Sequence, residues 1–289
     1  MTPPEALRAR NRAILLMLAA TFCFSMMDVS AKALAPRIGV LGGLWARYAG
    51  QMIFVLILVA PRLHLVARTR YPLQQLLRSC LLMGATIFFF SALSVLPLNA
   101  AAPLMNTNPV LITLGAALFL GEKLGPRRIA GIAAAMIGAL IIIRPGGEIF
   151  SPAALLPLVA ACCYSGYALL TRRLGPGEDP WTSLFYTGLV GTLVFSLIIP
   201  FHWQTPDAIA WLLILALACF GTLGQMMLIR AFSSGEAAML APYAYSGLIF
   251  ATLWGMLLFG ERPDLWTICG TLVIAGAGLY VWHRETYRS

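Results

Sequence analysis

The chain has 289 residues, of which 60% are hydrophobic and only 11% charged, with a mean hydropathy of +0.83. A soluble domain carries roughly 25% charged residues, so a water-soluble globule is excluded: the chain has too few polar side chains to cover one. The net charge of +9, which in a soluble domain would point to nucleic acid, reads here as lysine and arginine gathered in the loops of a polytopic membrane protein.

Uncharged runs of about 20 residues, long enough to cross the hydrocarbon of a bilayer, recur throughout. In chain order they predict spans at residues 13–34, 40–60, 74–95, 98–120, 127–143, 152–172, 181–200, 208–230, 237–259 and 265–282. Turn chemistry marks the breaks: Pro36 with Gly39, Pro61 to Pro72, Pro97, Gly125-Pro126, Pro145-Gly146-Gly147, Gly175-Pro176-Gly177, Pro206, Gly235 and Pro263. Helices satisfy their own backbone donors in lipid, and no run alternates like a barrel strand. The expectation is an all-α polytopic membrane protein with ten transmembrane helices.

The first span follows Arg8, Arg10 and Arg12 as a signal peptide would, but it runs on to Leu34 without a convincing cleavage site and reads as a retained helix. With the N terminus in the cytoplasm, fifteen of the twenty basic residues fall on the cytoplasmic side, from Arg8 through Arg62, Arg68, Arg70 and Arg78 to Arg284 and Arg288. Lys32, Arg37, Arg47, Arg144 and Arg262 fall on or near the outer side. That asymmetry favours both termini in the cytoplasm of a bacterial inner membrane. Cys23, Cys80, Cys162, Cys163, Cys219 and Cys269 all lie in apolar segments without metal-ligand spacing, so no disulfide, metal site or cofactor is expected.

Two segments repeat without a gap. Residues 102–122 read APLMNTNPVLITLGAALFLGE, and 139 residues later the chain reads APYAYSGLIFATLWGMLLFGE. The same offset aligns Ser94 with Ser233, Thr113 with Thr252 and Gly131 with Gly270, while an offset of 140 aligns Cys23 with Cys163, Ser25 with Ser165, Lys32 with Arg172 and Pro36 with Pro176. Five helices (residues 1–148) are followed by five related ones (149–289). Because five is odd, the second set enters the bilayer upside down. Inverted repeats around a central cavity characterise transporters.

The runs NPVLITLGAALFLGEKLGPRRIAGIAAAMIGALIII and SGLIFATLWGMLLFGERPDLWTICGTLVIAGAGLYV resemble the two EamA-type modules of the drug/metabolite transporter superfamily. Among its members the chain is most similar to bacterial amino-acid exporters, including the aromatic amino acid exporter group. The resemblance implies a ten-helix basket whose central cavity lies between helices three, four, eight and nine, walled further by one and six.

Side chains point to the same cavity. Asn106, Thr107 and Asn108 would cost a few kcal/mol each if buried unpaired against lipid, so this face of the fourth span must meet protein or water. Leu104, Thr107, Asn108 and Leu111 share a helical face, and Tyr243, Ser246, Gly247 and Phe250 share the equivalent one. Pro103, Pro109 and Pro242 free backbone carbonyls at this depth. Tyr245, Trp254, Tyr164 and Phe88 add rings that stack and, except for Phe88, hydrogen-bond. The substrate candidates are therefore Asn106, Thr107, Asn108, Tyr243, Tyr245, Ser246, Trp254, Tyr164 and Phe88; interhelical hydrogen bonding and ordinary ring packing are the competing roles.

Charges inside spans are costly and mark function. Asp28, Lys32 and Arg47 qualify. The spacing of Asp28 and Lys32 is that of a helical ion pair; the alternatives are a clamp for a zwitterionic ligand or a proton-coupling carboxylate. Glu122 and Glu261, each closing its segment beside a basic residue, read as structural ties to a neighbouring helix, as do Pro103 and Pro242 within the shared scaffold.

No GxxxxGK[ST], HExxH or GxSxG motif occurs, so neither an ATP-driven pump nor an enzyme is expected. The reading is a secondary transporter or facilitator moving small polar metabolites, amino acids outward first, as a monomer or weak homodimer. Uptake of a vitamin or nucleotide-like metabolite is the alternative within transport; a non-transporting scaffold or membrane enzyme is the alternative outside it.

Overall fold

The computed structural model describes residues 3–120, 126–144, 151–174, 178–234, 240 and 243–287, and among them every regular element is helical. The α-helices are α1 (Pro3–Val59), α2 (Leu63–Val66), α3 (Pro72–Val95), α4 (Leu98–Met105), α5 (Asn108–Leu120), α6 (Pro126–Ile143), α7 (Leu155–Leu174), α8 (Pro180–Ile198), α9 (Ala208–Ser234), α10 (Ser246–Phe259) and α11 (Leu265–Tyr287).

Straight, the 57 residues of α1 would reach about 85 Å, far beyond a bilayer. The helix folds back at Gly39, whose φ of 71° and ψ of 169° belong to a region open essentially to glycine alone. Arg47 Nη1 donates to Met27 Sδ at 2.7 Å, whereas one continuous helix would separate these residues by about 30 Å. The two halves are thus the separate spans that Pro36 and Gly39 announce in the sequence.

Among the described residues five segments are long and apolar enough to cross a membrane: Asn11–Val66, which is the folded-back α1 with α2, and Pro72–Val95, Pro152–Thr171, Pro180–Phe201 and Ala208–Leu228. Ile129–Ile143, Ser246–Phe259 and Leu265–Tyr280 are shorter apolar helices. The predicted span 98–120 is divided into α4 and α5 by a turn at Asn106 and Thr107. The region predicted as a plain loop between Pro61 and Pro72 contains the short α2.

Packing follows small residues. α6 and α11 meet at two glycines: a Cβ on Gly138 would lie 2.9 Å from the Gly270 carbonyl oxygen, and one on Gly270 would lie 2.6 Å from that of Gly138. Only glycine permits this approach. α9 lies along α1, α3 along α7, and α8 against both α1 and α3. Leu34, Leu44, Leu93, Leu98 and Leu217 are buried at the centre, while Leu15, Ile57, Leu73, Leu197 and Leu257 stand outward. An apolar exterior of this extent suits hydrocarbon, not water.

Candidate substrate site

The break between α4 and α5 has a local cause. Pro109 lacks the N–H that would bond the Met105 carbonyl one turn back, and Pro103 lies inside α4. At the turn the side chains fold back on the preceding carbonyls: Asn106 Nδ2 donates to that of Ala102 at 2.9 Å and Thr107 Oγ1 to that of Leu104 at 2.8 Å, beside the backbone N–H groups that those carbonyls also accept. The helix is interrupted again at Tyr245, the residue that the 139-residue offset aligns with Asn106. Pro242 and Glu122 lie outside the described residues.

Each broken segment leans on a different helix. Ser165 of α7 donates to the Asn108 carbonyl at 3.1 Å. Ser246 of α10 shares a 2.8 Å hydroxyl–hydroxyl bond with Thr21 of α1, and Trp254 Nε1 donates to Ser25 Oγ at 3.2 Å. Tyr164 packs on Tyr167 with ring centroids 5.5 Å apart, and Phe88 lies against the central apolar cluster.

The remaining two tyrosines turn elsewhere. Tyr243 packs among Ala13, Met17, Ala231 and Leu240. Tyr245 is buried, with its unpartnered hydroxyl against Gly278 of α11. Tyr243 meets Ala13 and Met17 of α1, and Ser246 and Gly247 face Thr21 one turn further along the same helix.

The charged residues correct the expected local ion pair. Lys32 does not pair with Asp28. Its Nζ lies 3.1 Å from Glu261 Oε1 and donates to the carbonyls of Leu93 at 3.3 Å and Leu96 at 2.5 Å. Glu261 also accepts the backbone N–H groups of Leu98 and Asn99 at the start of α4, groups that a helix cannot satisfy internally. That end of α4 offers better company than one carboxylate four residues away.

Asp28 lies within electrostatic reach of Arg47, but among the described residues the two form no ion pair. Asp28 Oδ1 is enclosed without a hydrogen-bond partner, and so is Arg47 Nε. Arg47 is 7% exposed, reaches the weakly accepting Met27 sulfur through Nη1, and lies over the rings of Tyr48 and Phe90. Among the described residues no carboxylate comes within 4 Å of it. Buried charges are normally paired, so donor and acceptor atoms of opposite charge both lack partners at one place.

Arg78, counted from the sequence with the cytoplasmic cations near the start of the predicted span 74–95, lies within α3, 2% exposed, held by Thr171, Ser183, Thr187 and Tyr167. The available signal was its position, six residues beyond Pro72 in an apolar run, about 9 Å along a helix.

Loop contacts close the ends of the bundle. Arg37 pairs with Asp207, and Arg144 Nη2 lies 2.9 Å from Asp264 Oδ2. The Thr267 side chain and backbone N–H, with Arg144, hold the Asp264 carboxyl below its usual range against a smaller opposing effect of burial. Glu178, beside α8, accepts from Thr69 Oγ1 at 2.8 Å, the Arg70 backbone N–H at 3.0 Å and Gln75 Nε2 at 2.9 Å. Burial works to raise its pKa, but these donors together prevail and hold the carboxyl below the ordinary glutamate value.

A helical membrane chain with two related halves matches the EamA-like transporter pattern over residues 11–144 and again over 151–282. The chain belongs to the EamA-like transporter family. It is 30% identical over 281 residues to the riboflavin transporter of Rhizobium johnstonii, covering 94% of this chain and 91% of that one. It is 31% identical over 272 residues to the pseudopaline exporter CntI of Pseudomonas aeruginosa (91% and 93% covered). It is 26% identical over 261 residues to the S-adenosylmethionine uptake transporter of Rickettsia bellii (90% of each). A solved crystal structure shares the fold, with a TM-score of 0.65 and 20% identity over 93% of this chain and 96% of that one. These EamA relatives support transport of small molecules by a multi-pass membrane protein. Their names do not carry the finer resemblance to aromatic amino acid exporters.

Proposed function

We propose that this EamA protein is a secondary transporter of the bacterial inner membrane that exports small metabolites carrying an α-amino acid group, neutral and aromatic amino acids first, by alternating access. In this reading ten membrane helices form two inverted five-helix repeats, residues 1–148 and 149–289, with both termini cytoplasmic. The halves rock about a site between them, and neither catalysis nor a cofactor takes part.

The observation that carries the reading is that Asp28 Oδ1 and Arg47 Nε, on two buried groups within electrostatic reach of each other, both lack a partner among the described residues. Arg47 supplies a guanidinium for a carboxylate, a geometry suited to two parallel hydrogen bonds. Asp28 supplies an acceptor for an ammonium group. Tyr48, Phe90 and Tyr164 surround them with rings, and Thr86 bonds the Tyr48 hydroxyl at 3.0 Å. An ionisable pair inside a membrane span that leaves its own atoms unsatisfied fits a ligand better than a structural strut.

Uptake of a vitamin or nucleotide-like metabolite is the second reading, favoured by the riboflavin and S-adenosylmethionine transporters among the relatives. Purified protein in liposomes separates the two. Liposomes loaded with neutral amino acids, riboflavin or S-adenosylmethionine are tested for counterflow against protein-free vesicles. Faster exchange of amino acids supports the first reading; exchange of riboflavin alone selects the second. No exchange across the whole panel removes transport.

A further inference from the structure

The Arg78 cluster holds a charge that the Asp28–Arg47 pair does not explain. A guanidinium carries five N–H donors. In Arg78, Nε donates to Thr171 Oγ1 at 2.6 Å, Nη1 to the Ser183 carbonyl at 3.1 Å and Thr187 Oγ1 at 3.3 Å, and Nη2 to the Tyr167 hydroxyl at 2.9 Å. All four acceptors are neutral, and one Nη2 hydrogen has no acceptor among the described residues. Nor is any carboxylate there within 4 Å of the guanidinium.

Tyr167 sharpens the imbalance. Its hydroxyl oxygen already accepts from Arg78 and, at 3.1 Å, from Gln225 Nε2, which leaves its own O–H hydrogen without an acceptor among the described residues. Thr171 and Thr187 give their hydroxyl hydrogens to the carbonyls of Tyr167 and Ser183 at 2.7 and 2.8 Å, and their oxygens already accept from Arg78. The cluster therefore has one unused donor on Arg78, another on Tyr167 and a buried positive charge; the neighbouring Gln75 Oε1 is itself unpartnered and accepts from neither. Burying such a charge without a counter-ion is expensive.

We infer that Arg78 and Tyr167 form an anion-binding point for a carboxylate or phosphate group, separate from Arg47; that the anion is borne by the transported solute rests on the transport reading above. The two points are linked through Tyr164, which packs on Tyr167 and lies within electrostatic reach of both Arg47 and Arg78. An anionic group released by Arg47 meets a second guanidinium next along the bundle. Arg78 receives it on Nη2, with the Tyr167 hydroxyl donating beside it.

Binding is read first without transport. Purified wild-type protein in detergent is titrated with sodium phosphate, then with sodium acetate, sodium chloride keeping the ionic strength constant, and thermal unfolding is followed. A saturable rise in the unfolding midpoint that persists in Arg47→Gln and is lost in Arg78→Gln is the expected result. Tyr167→Phe keeps the ring and the arginine and weakens the rise, so the test stands even if Arg78→Gln does not fold. No rise in the wild type, or an equal rise in Arg78→Gln or Tyr167→Phe, overturns the site.

Liposome exchange of L-phenylalanine against L-phenylalaninamide then distinguishes a solute-borne carboxylate from a free anion. A loss of about tenfold for the acid alone in Arg78→Gln, the factor that 1.4 kcal/mol represents, assigns the anion to the solute; equal loss for both assigns it to free anion. An Arg78-dependent rise with no exchange of any solute removes the transport reading and keeps the site. Active exchange with no rise removes the site alone.

Discussion

Lys32 Nζ and Glu261 Oε1 lie 3.1 Å apart, both side chains largely buried, and the same carboxylate receives the Leu98 and Asn99 backbone N–H groups at 2.9 and 3.2 Å. One glutamate thus joins the first half of α1, the end of α10 and the start of α4. Removing one member of a buried pair leaves the other uncompensated, at about 3–5 kcal/mol. Glu261→Gln and Lys32→Met are each expected to lower the thermal midpoint sharply. Together they recover part of the loss, but less than all of it, because α4 still lacks its charged acceptor. Full recovery in the double variant would show that the capping contributes nothing.

Asp28 is the one acid deep in α1 with an unpartnered oxygen. If it takes up the proton that drives transport, Asp28→Asn makes whatever exchange remains in liposomes indifferent to an imposed pH gradient. Dependence on the gradient that survives the substitution removes Asp28 from coupling.

Glu178 has a folded-state pKa below the ordinary glutamate value, so its contribution is fully present above about pH 4.3 and is lost as pH falls through the lower folded value. Glu178→Gln is expected to lower the thermal midpoint at pH 6–7, and the difference from wild type closes in the acid range. A difference that grows on acidification contradicts the hydrogen-bonded geometry at Thr69, Arg70 and Gln75.

The contact of α6 with α11 depends on missing side chains. Gly270→Ala would put a Cβ 2.6 Å from the Gly138 carbonyl oxygen, and overpacking of this kind costs about 1–3 kcal/mol. Gly276, with nothing within 4 Å of the added atom, is the control, and Gly276→Ala is expected to be neutral or slightly stabilising. Thermal unfolding of the two variants side by side checks the difference.

Gly39→Ala tests the reversal of α1. Its backbone lies where a Cβ is strained whatever the space around it, at about 1–3 kcal/mol. A midpoint unchanged by this substitution would count against the fold-back seen between Met27 and Arg47.

Much of this was legible without coordinates. Composition alone requires lipid around the molecule, because the apolar residues outnumber any core that could hide them. Pro36 and Gly39 announce the reversal of α1, and Pro109 removes the donor whose loss breaks the helix at Asn106, since both effects are properties of the local backbone. The 139-residue offset likewise locates the second interruption at Tyr245. Tertiary structure decided what spacing cannot: Lys32 had a suitable partner one turn away in Asp28 and took a distant one in Glu261, because packing brings the unsatisfied start of α4 to the same place. Arg78 falls near the start of the predicted span 74–95, but nothing in the spacing shows that residues of α7 and α8 enclose it. Sequence period fixes which side chains share a face of one helix; the partner across the gap is set by how whole helices pack.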